Sequence, residues 1–248
     1  MVKSWMKRGQ VTVILIVAIV IVVAILLVYF LTQKSSQSAI DLSKIDPEFR
    51  PLYKSLSNCL EDRANDALLI TGLSGGYIEP KKNFLETNLG LVSYGLKNNK
   101  NVLISKEKLE DEISNYIDDS ISFCVDSISF EVEFGESNTR TEIKGNKVIV
   151  NPRFKITVSS GNKSVVFDQY PDIEIPVKLG HIIDIANGII EKQKQTGDQI
   201  SLTYLSDFDV NVIFDYVDDK TLLYIVYDED SKIEDIPYSF LFLAEMNK

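Results

Sequence analysis

An N-terminal transmembrane helix followed by one α+β domain, with a mainly antiparallel sheet covered by about three helices, is the fold class this sequence predicts. Three observations carry the prediction. A run of 21 residues near the start holds no charge. Two segments with apolar residues at helical spacing come next, and a third such segment lies further along the chain, between strand-like stretches. From Ser127 onward the apolar residues otherwise alternate with polar ones, the two-residue period of half-buried strands.

The uncharged run is Val11 to Leu31, VTVILIVAIVIVVAILLVYFL, with polar side-chain atoms only on Thr12 and Tyr29. As a helix rising ~1.5 Å per residue it is ~31 Å long, which matches the ~30 Å hydrocarbon core of a bilayer. A core helix of a soluble protein carries a polar face, and a secretory signal has an apolar stretch of only about 7 to 15 residues before its cleavage site. This run lacks the polar face and is longer than a signal, although Ser36, Ser38 and Ala39 stand where a cleavage site would. Lys3, Lys7 and Arg8 precede it, and Lys34 is the nearby base on its other side. Bases beside a span are held on the cytoplasmic side, so residues 1–10 are expected inside and the chain after residue 31 outside the cell. Residues 32–46, opening TQKSSQS, read as a polar stalk, and residues 47–248 as one extracytoplasmic domain long enough for a well-buried core.

Charge sharpens the asymmetry. Of the 26 Lys and Arg, four (Lys3, Lys7, Arg8 and Lys34) lie in the first 34 residues, leaving 22 against all 36 Asp and Glu, a net of −14. A domain that acidic repels phosphate backbones and anionic headgroups, so nucleic acid is not an expected partner. Asp118-Asp119, Asp218-Asp219 and Asp228-Glu229-Asp230 lack the spacing of a calcium loop and read as solvated surface.

The first helix is expected from an Asp46 N-cap with Pro47 at the first helical position to about Thr71, and Gly72 ends it. GLSGGYIEPKKN is a loop, and residues 84–104 read as irregular because Tyr94-Gly95 and Asn98-Asn99 break any period. Ser105 caps a second helix, about Lys106 to Val125. The two cysteines, Cys59 and Cys124, fall on the apolar stripes of these two helices, the first with Leu56 and Leu60, the second with Ile117 and Ile121. An even count in an oxidising compartment favours a disulfide between them, and two buried free thiols are the alternative.

Strands then take over: Phe130, Val132 and Phe134 alternate with Glu131 and Glu133, Gly145-Asn146 marks a hairpin, and Phe154–Val158 and Val165–Phe167 flank the turn Ser160–Lys163. A third helix is expected over Leu179–Gln195, with Ile182, Ile183, Ala186, Ile189 and Ile190 on one face. Segments Asp209–Tyr216, Thr221–Tyr227 and Tyr238–Ala244 return to strand, separated by acidic turns.

Catalytic signals are sparse. Gly72-Leu73-Ser74-Gly75-Gly76 matches the G-x-S-x-G pattern of a serine nucleophile, but that chemistry needs a strand-to-helix turn, and here the motif comes after a helix and reads as a helix stop. His181 is the single histidine, so any serine or cysteine triad must pass through it; the blander role is a helix-start surface residue. No metal, cofactor or small-molecule substrate is expected, since one histidine and two cysteines leave only carboxylates and no glycine-rich phosphate loop is present. Asn162-Lys163-Ser164 fits the N-glycan acceptor pattern in an expected turn.

Lys7-Arg8-Gly9-Gln10, with the apolar run directly after it, resembles the leader of archaeal type IV pilin-like proteins. That resemblance implies cleavage between Gly9 and Gln10; the acidic residue that stands a few positions after the cut in that family has Ile14 and apolar neighbours in its place. The layout as a whole is similar to single-anchor surface proteins of small-genome (DPANN) archaea, through the R-G-Q leader, Asn58-Cys59-Leu60, Gly75-Gly76-Tyr77, a second helix ending near Cys124 and the closing Pro237-Tyr238-Ser239-Phe240-Leu241-Phe242. It implies the topology and the cysteine pair, and no reaction. The function expected is a membrane-anchored, non-enzymatic structural or interaction protein with protein partners at the cell envelope. A pilin-like filament subunit is the alternative, and an anchored hydrolase using Ser74 and His181 a more distant one.

Overall fold

The computed structural model describes residues 42–125 and 130–246, together with Val20, Val22 and Val23, which are helical. The rest of the expected membrane helix 11–31, the Gly9–Gln10 junction and most of the stalk lie outside the described residues. Among the described residues no helix is long and apolar enough to cross a membrane. The chain divides into two compact units, Met1–Gln37 and Ser38–Lys248, and the second holds all the described strands.

The mixed α+β class holds for this second unit, whose described residues form four α-helices: α1 (Arg50–Leu73), α2 (Lys106–Ser120), α3 (Leu179–Thr196) and the short α4 (Leu202–Ser206). Helix α1 starts later than Asp46. The Asp46 carboxylate accepts the Glu48 N–H, and the Phe49 N–H reaches the Asp46 carbonyl, so this segment closes as a turn and Pro51 takes the early helical position. A 3₁₀ turn, Leu42–Lys44, precedes it, and Ile45 and Phe49 are already core residues. Helix α2 is capped as expected: the Ser105 hydroxyl accepts the Lys108 N–H at 3.2 Å. It ends at Ser120, and a 3₁₀ turn Ile121–Cys124 completes the segment.

Residues 84–104 are not irregular. They form β1 (Phe84–Thr87), β2 (Gly90–Lys97) and β3 (Lys100–Asn101). Asn98 and Asn99 have φ of 49° and 57°, the two left-handed residues of a tight hairpin loop, so the pair that breaks the period is itself the turn joining β2 to β3.

The remaining strands are β4 (Glu131–Ser137), β5 (Arg140–Ile143), β6 (Val148–Asn151), β7 (Phe154–Ser160), β8 (Lys163–Phe167), β9 (Ile173–Ile175), β10 (Asn211–Asp218), β11 (Thr221–Ile233) and β12 (Ile236–Glu245). They do not join one sheet. The orders are β1-β2-β12-β11-β10, with β3 beside β2, then β4-β7-β8 and β5-β6-β9. Among the described residues every pairing is antiparallel except β2 with β12. Hairpin signals report local pairs only, whereas the partner of each outer strand is set by long-range packing. Strand β9, for example, bypasses β7 and β8 to join β6, pairing Ile173 with Val150.

Helix α1 lies between β12 and α2, α2 packs on β5, and α3 packs on β2, β3 and β11. Phe240, Phe242, Ala244, Leu222, Tyr224 and Val226 point to this helical side and join the main core. The alternate residues Val92, Leu223, Leu241 and Leu243 are buried in a second cluster with Leu85, Tyr94, Val217 and Ile225. Both faces of β11 and β12 are therefore apolar, which accounts for their nearly continuous hydrophobic runs.

Candidate functional site

Cys59 and Cys124 form a disulfide, with Cα atoms 5.6 Å apart. The bond ties the middle of α1 to the 3₁₀ turn that ends the α2 segment, where the main core packs Leu56 and Leu60 against Ile113, Ile117 and Ile121. The loop after α1 and the flank of α2 face each other across a cleft of about 500 Å³. Tyr77, Lys81, Lys82, Lys108, Glu112 and Tyr116 line it. Glu112 joins the cleft's two walls by accepting the Ile78 N–H at 3.1 Å, and it pairs with Lys108 of its own helix at 3.3 Å. Burial and the Glu112 charge push the Tyr77 hydroxyl above its ordinary range.

Ser74 stands where α1 ends. Its hydroxyl faces two carbonyls, Ile70 and Tyr77, its own carbonyl accepts the Ser93 N–H of β2, and the Gly76 N–H reaches back to the Thr71 carbonyl. These bonds close the last turn of a helix and leave the hydroxyl proton committed to backbone. Gly72, Gly75 and Gly76 have packing reasons of their own: a Cβ at each would press on Ser239, Ser93 and Ile104 respectively.

His181 lies in the first turn of α3 and its Nε2 meets Asp209 Oδ1 at 2.7 Å. The imidazole holds the Asp209 carboxyl below the usual carboxylate range. Among the described residues no hydrogen bond joins Ser74 to His181, so the two sides of the serine–histidine constellation are engaged with different partners.

Next to His181 the fold assembles charges the sequence does not announce. Strand β11 bulges between Asp228 and Lys232. Inside the bulge the fully buried Ser231 donates to Asp228 Oδ2 at 2.6 Å and accepts the Lys178 N–H at 3.0 Å, while Lys178 Nζ pairs with Asp228 at 3.0 Å. Burial pushes the Asp228 carboxyl up, yet Ser231, Lys178 and the Asp230 N–H together hold it below its ordinary value. Asp228 in turn raises Lys178. This is a structural clasp between α3 and β11, and its signal in the sequence is weak because its members are 50 residues apart (Lys178 to Asp228).

The clasp has a pH signature. A carboxyl depressed in the folded state stabilises above the unfolded value of about 3.9, and the contribution fades as pH falls through the lower folded value. Asp228→Asn is expected to cost roughly 2 kcal/mol at pH 7 and to make the acid-side loss of stability shallower than in the wild type. Urea titrations between about pH 7 and pH 2 read both effects; parallel curves would refute the assignment.

Asn162 occupies the exposed two-residue turn between β7 and β8, with Gly161 at φ 60°. Its neighbour Lys163 pairs with Asp46 at 2.9 Å and Glu48 at 3.3 Å, tying that turn to the approach to α1. Among the described residues no group of three or more His, Cys, Asp or Glu is placed to hold a metal ion. Asp118, one of the acidic pairs, accepts the Thr139 N–H with both oxygens, and burial raises its carboxyl. No family model, no curated protein and no solved structure matches this chain.

Proposed function

We propose that this chain is a membrane-anchored structural or interaction protein, held in the bilayer by residues 11–31, with its acidic α+β domain outside the cell and its partners among envelope proteins. The Cys59–Cys124 disulfide is the observation that supports the reading most, because such bonds persist in oxidising compartments and are rare in the cytosol. The uncharged run from Val11 to Leu31 and the bases before it supply the anchor and its direction. No reaction is assigned, in keeping with a Ser74 hydroxyl turned onto carbonyls.

A filament subunit is the second reading, favoured by Arg8-Gly9-Gln10 ahead of the apolar run. One preparation tests both. Protease added to intact cells is expected to digest the domain of residues 47–248, and the mass of the mature chain reports its first residue. Protection in intact cells with digestion after lysis overturns the surface assignment. A chain starting at Gln10 supports the pilin-like reading, and an intact Met1 or Val2 end removes it.

A further inference from the structure

Strand β10 ends the six-stranded sheet: β11 pairs with one of its edges, and among the described residues no strand pairs with the other. Exposure is high along it, at 50% for Ile213 and 56% for Tyr216. The register to β11 is unbroken from Asn211 to Tyr216, so successive backbone groups point alternately to β11 and outward. The Tyr216 N–H donates to the exposed Asp215 carboxylate at 2.8 Å, which places it in the outward set together with the backbone groups of Val212 and Phe214. Sheets ordinarily blunt an open edge with lysine, proline or a very short strand. β10 runs for eight residues, NVIFDYVD, and has neither lysine nor proline; its bulge, between Tyr216 and Asp218, sits beside the turn and leaves Asn211–Tyr216 in regular register.

A second feature lies beside this edge. Helix α4 and the chain leading into β10 enclose a groove of about 340 Å³, lined by Leu202, Leu205, Phe208, Val212 and Phe214. Leu202 is 63% exposed. A strand added to β10 would set every second side chain toward that groove and the others beside Ile213 and Asp215. Asp215 and Asp218 in the strand and Asp219 in the turn after it are all exposed. Pairing β10 with a second copy of itself would gather two such sets of aspartates into one ribbon, which disfavours a self-complementary interface.

We infer that β10 is a docking edge for an extended segment of a partner protein, with apolar residues at alternate positions and lysine or arginine between them. Main-chain hydrogen bonds to Val212 and Phe214 supply the pairing, the groove receives the apolar side chains, and the aspartates select the basic ones. This names the partner chemistry for the proposed interaction role and rests on that role, but its test is independent of where the domain resides.

The experiment uses the full-length chain in detergent micelles and a labelled seven-residue peptide in which valine and isoleucine alternate with lysine. Fluorescence anisotropy is expected to show binding, with slowed amide exchange at Phe214. The same peptide carrying glutamate for lysine, or N-methylated at alternate amides, is expected to bind about tenfold more weakly or worse. Asp215→Lys exchanges the preference between the lysine and glutamate peptides. Val212→Pro removes an outward N–H without touching the β11 ladder and abolishes binding, with the circular dichroism spectrum retained as the control on folding. Equal binding of both peptides, or binding indifferent to D215K, overturns the proposal. So does a peptide-free dimer that is lost in V212P, because a second copy would then be the occupant. Failure here leaves the protease result standing, and burial of the domain inside the cell leaves the peptide result standing.

Discussion

Replacing Cys59 and Cys124 together by alanine lowers the unfolding free energy by about 4 kcal/mol, the chain-entropy value for releasing a loop of this length; the two positions are 65 residues apart. Whole domains are stable by only about 5 to 15 kcal/mol, so the loss is a large share of the total. For a domain of this size it corresponds to a fall in Tm of roughly 8 to 16 °C. The packing around the bond argues that the fold itself survives: Leu56, Leu60, Leu109, Ile113 and Ile117 are almost fully buried between α1 and α2 whether or not the sulfurs are joined. Guanidinium titrations of the wild type, the double variant and the reduced wild type decide the matter. A loss under about 1 kcal/mol would mean that helix packing alone closes this loop, and the bond would then be a mark of compartment with little effect on stability.

Gly72→Ala is expected to be strongly destabilising although it adds a single methyl group to a helix. Helix propensity alone favours alanine over glycine by about 1 kcal/mol, so an unpacked site would be stabilised. Gly72 is not such a site. The added Cβ would overlap the Ser239 carbonyl oxygen and sit 3.0 Å from the Tyr238 hydroxyl, both in β12. A strand carbonyl in a sheet core cannot swing aside as a flexible side chain can. Overpacking of this kind typically costs about 1 to 3 kcal/mol, and the rigid neighbour puts this case at the upper end. Gly145→Ala is the control, because nothing lies within 4 Å of its Cβ position. Urea midpoints for the two variants check the pair; a G72A protein as stable as G145A would show that α1 does not dock on β12 this closely.

Much of the secondary structure was legible because its causes are local. The Ser105 cap, the apolar stripe of α3 and the β7–β8 turn each lie within a few neighbouring residues, and the structure places them close to where periodicity does. The cysteine pair was legible from the even count and the oxidising compartment expected for this part of the chain, and the disulfide forms between the two expected residues. Over residues 84–104 the local signal was ambiguous. Asn98-Asn99 interrupts a helical or strand period equally well whether it is disorder or a tight turn, and only the pairing of Leu96 with Asn101 tells the two apart. Ser74 shows the converse, a nucleophile-like pattern whose glycines are explained by close approach of α1 to β2 and β12.

Composition and order along the chain determined the charge asymmetry, the uncharged 21-residue run and the alternation of helices with strands, since each is a property of adjacent residues. Only the tertiary structure decided that the strands divide among three sheets, that Lys178 clasps Asp228, that His181 meets Asp209, and that β10 is left at an edge. These depend on which distant segments share a core. That choice is made by the summed burial of many side chains, and no short stretch of sequence records it.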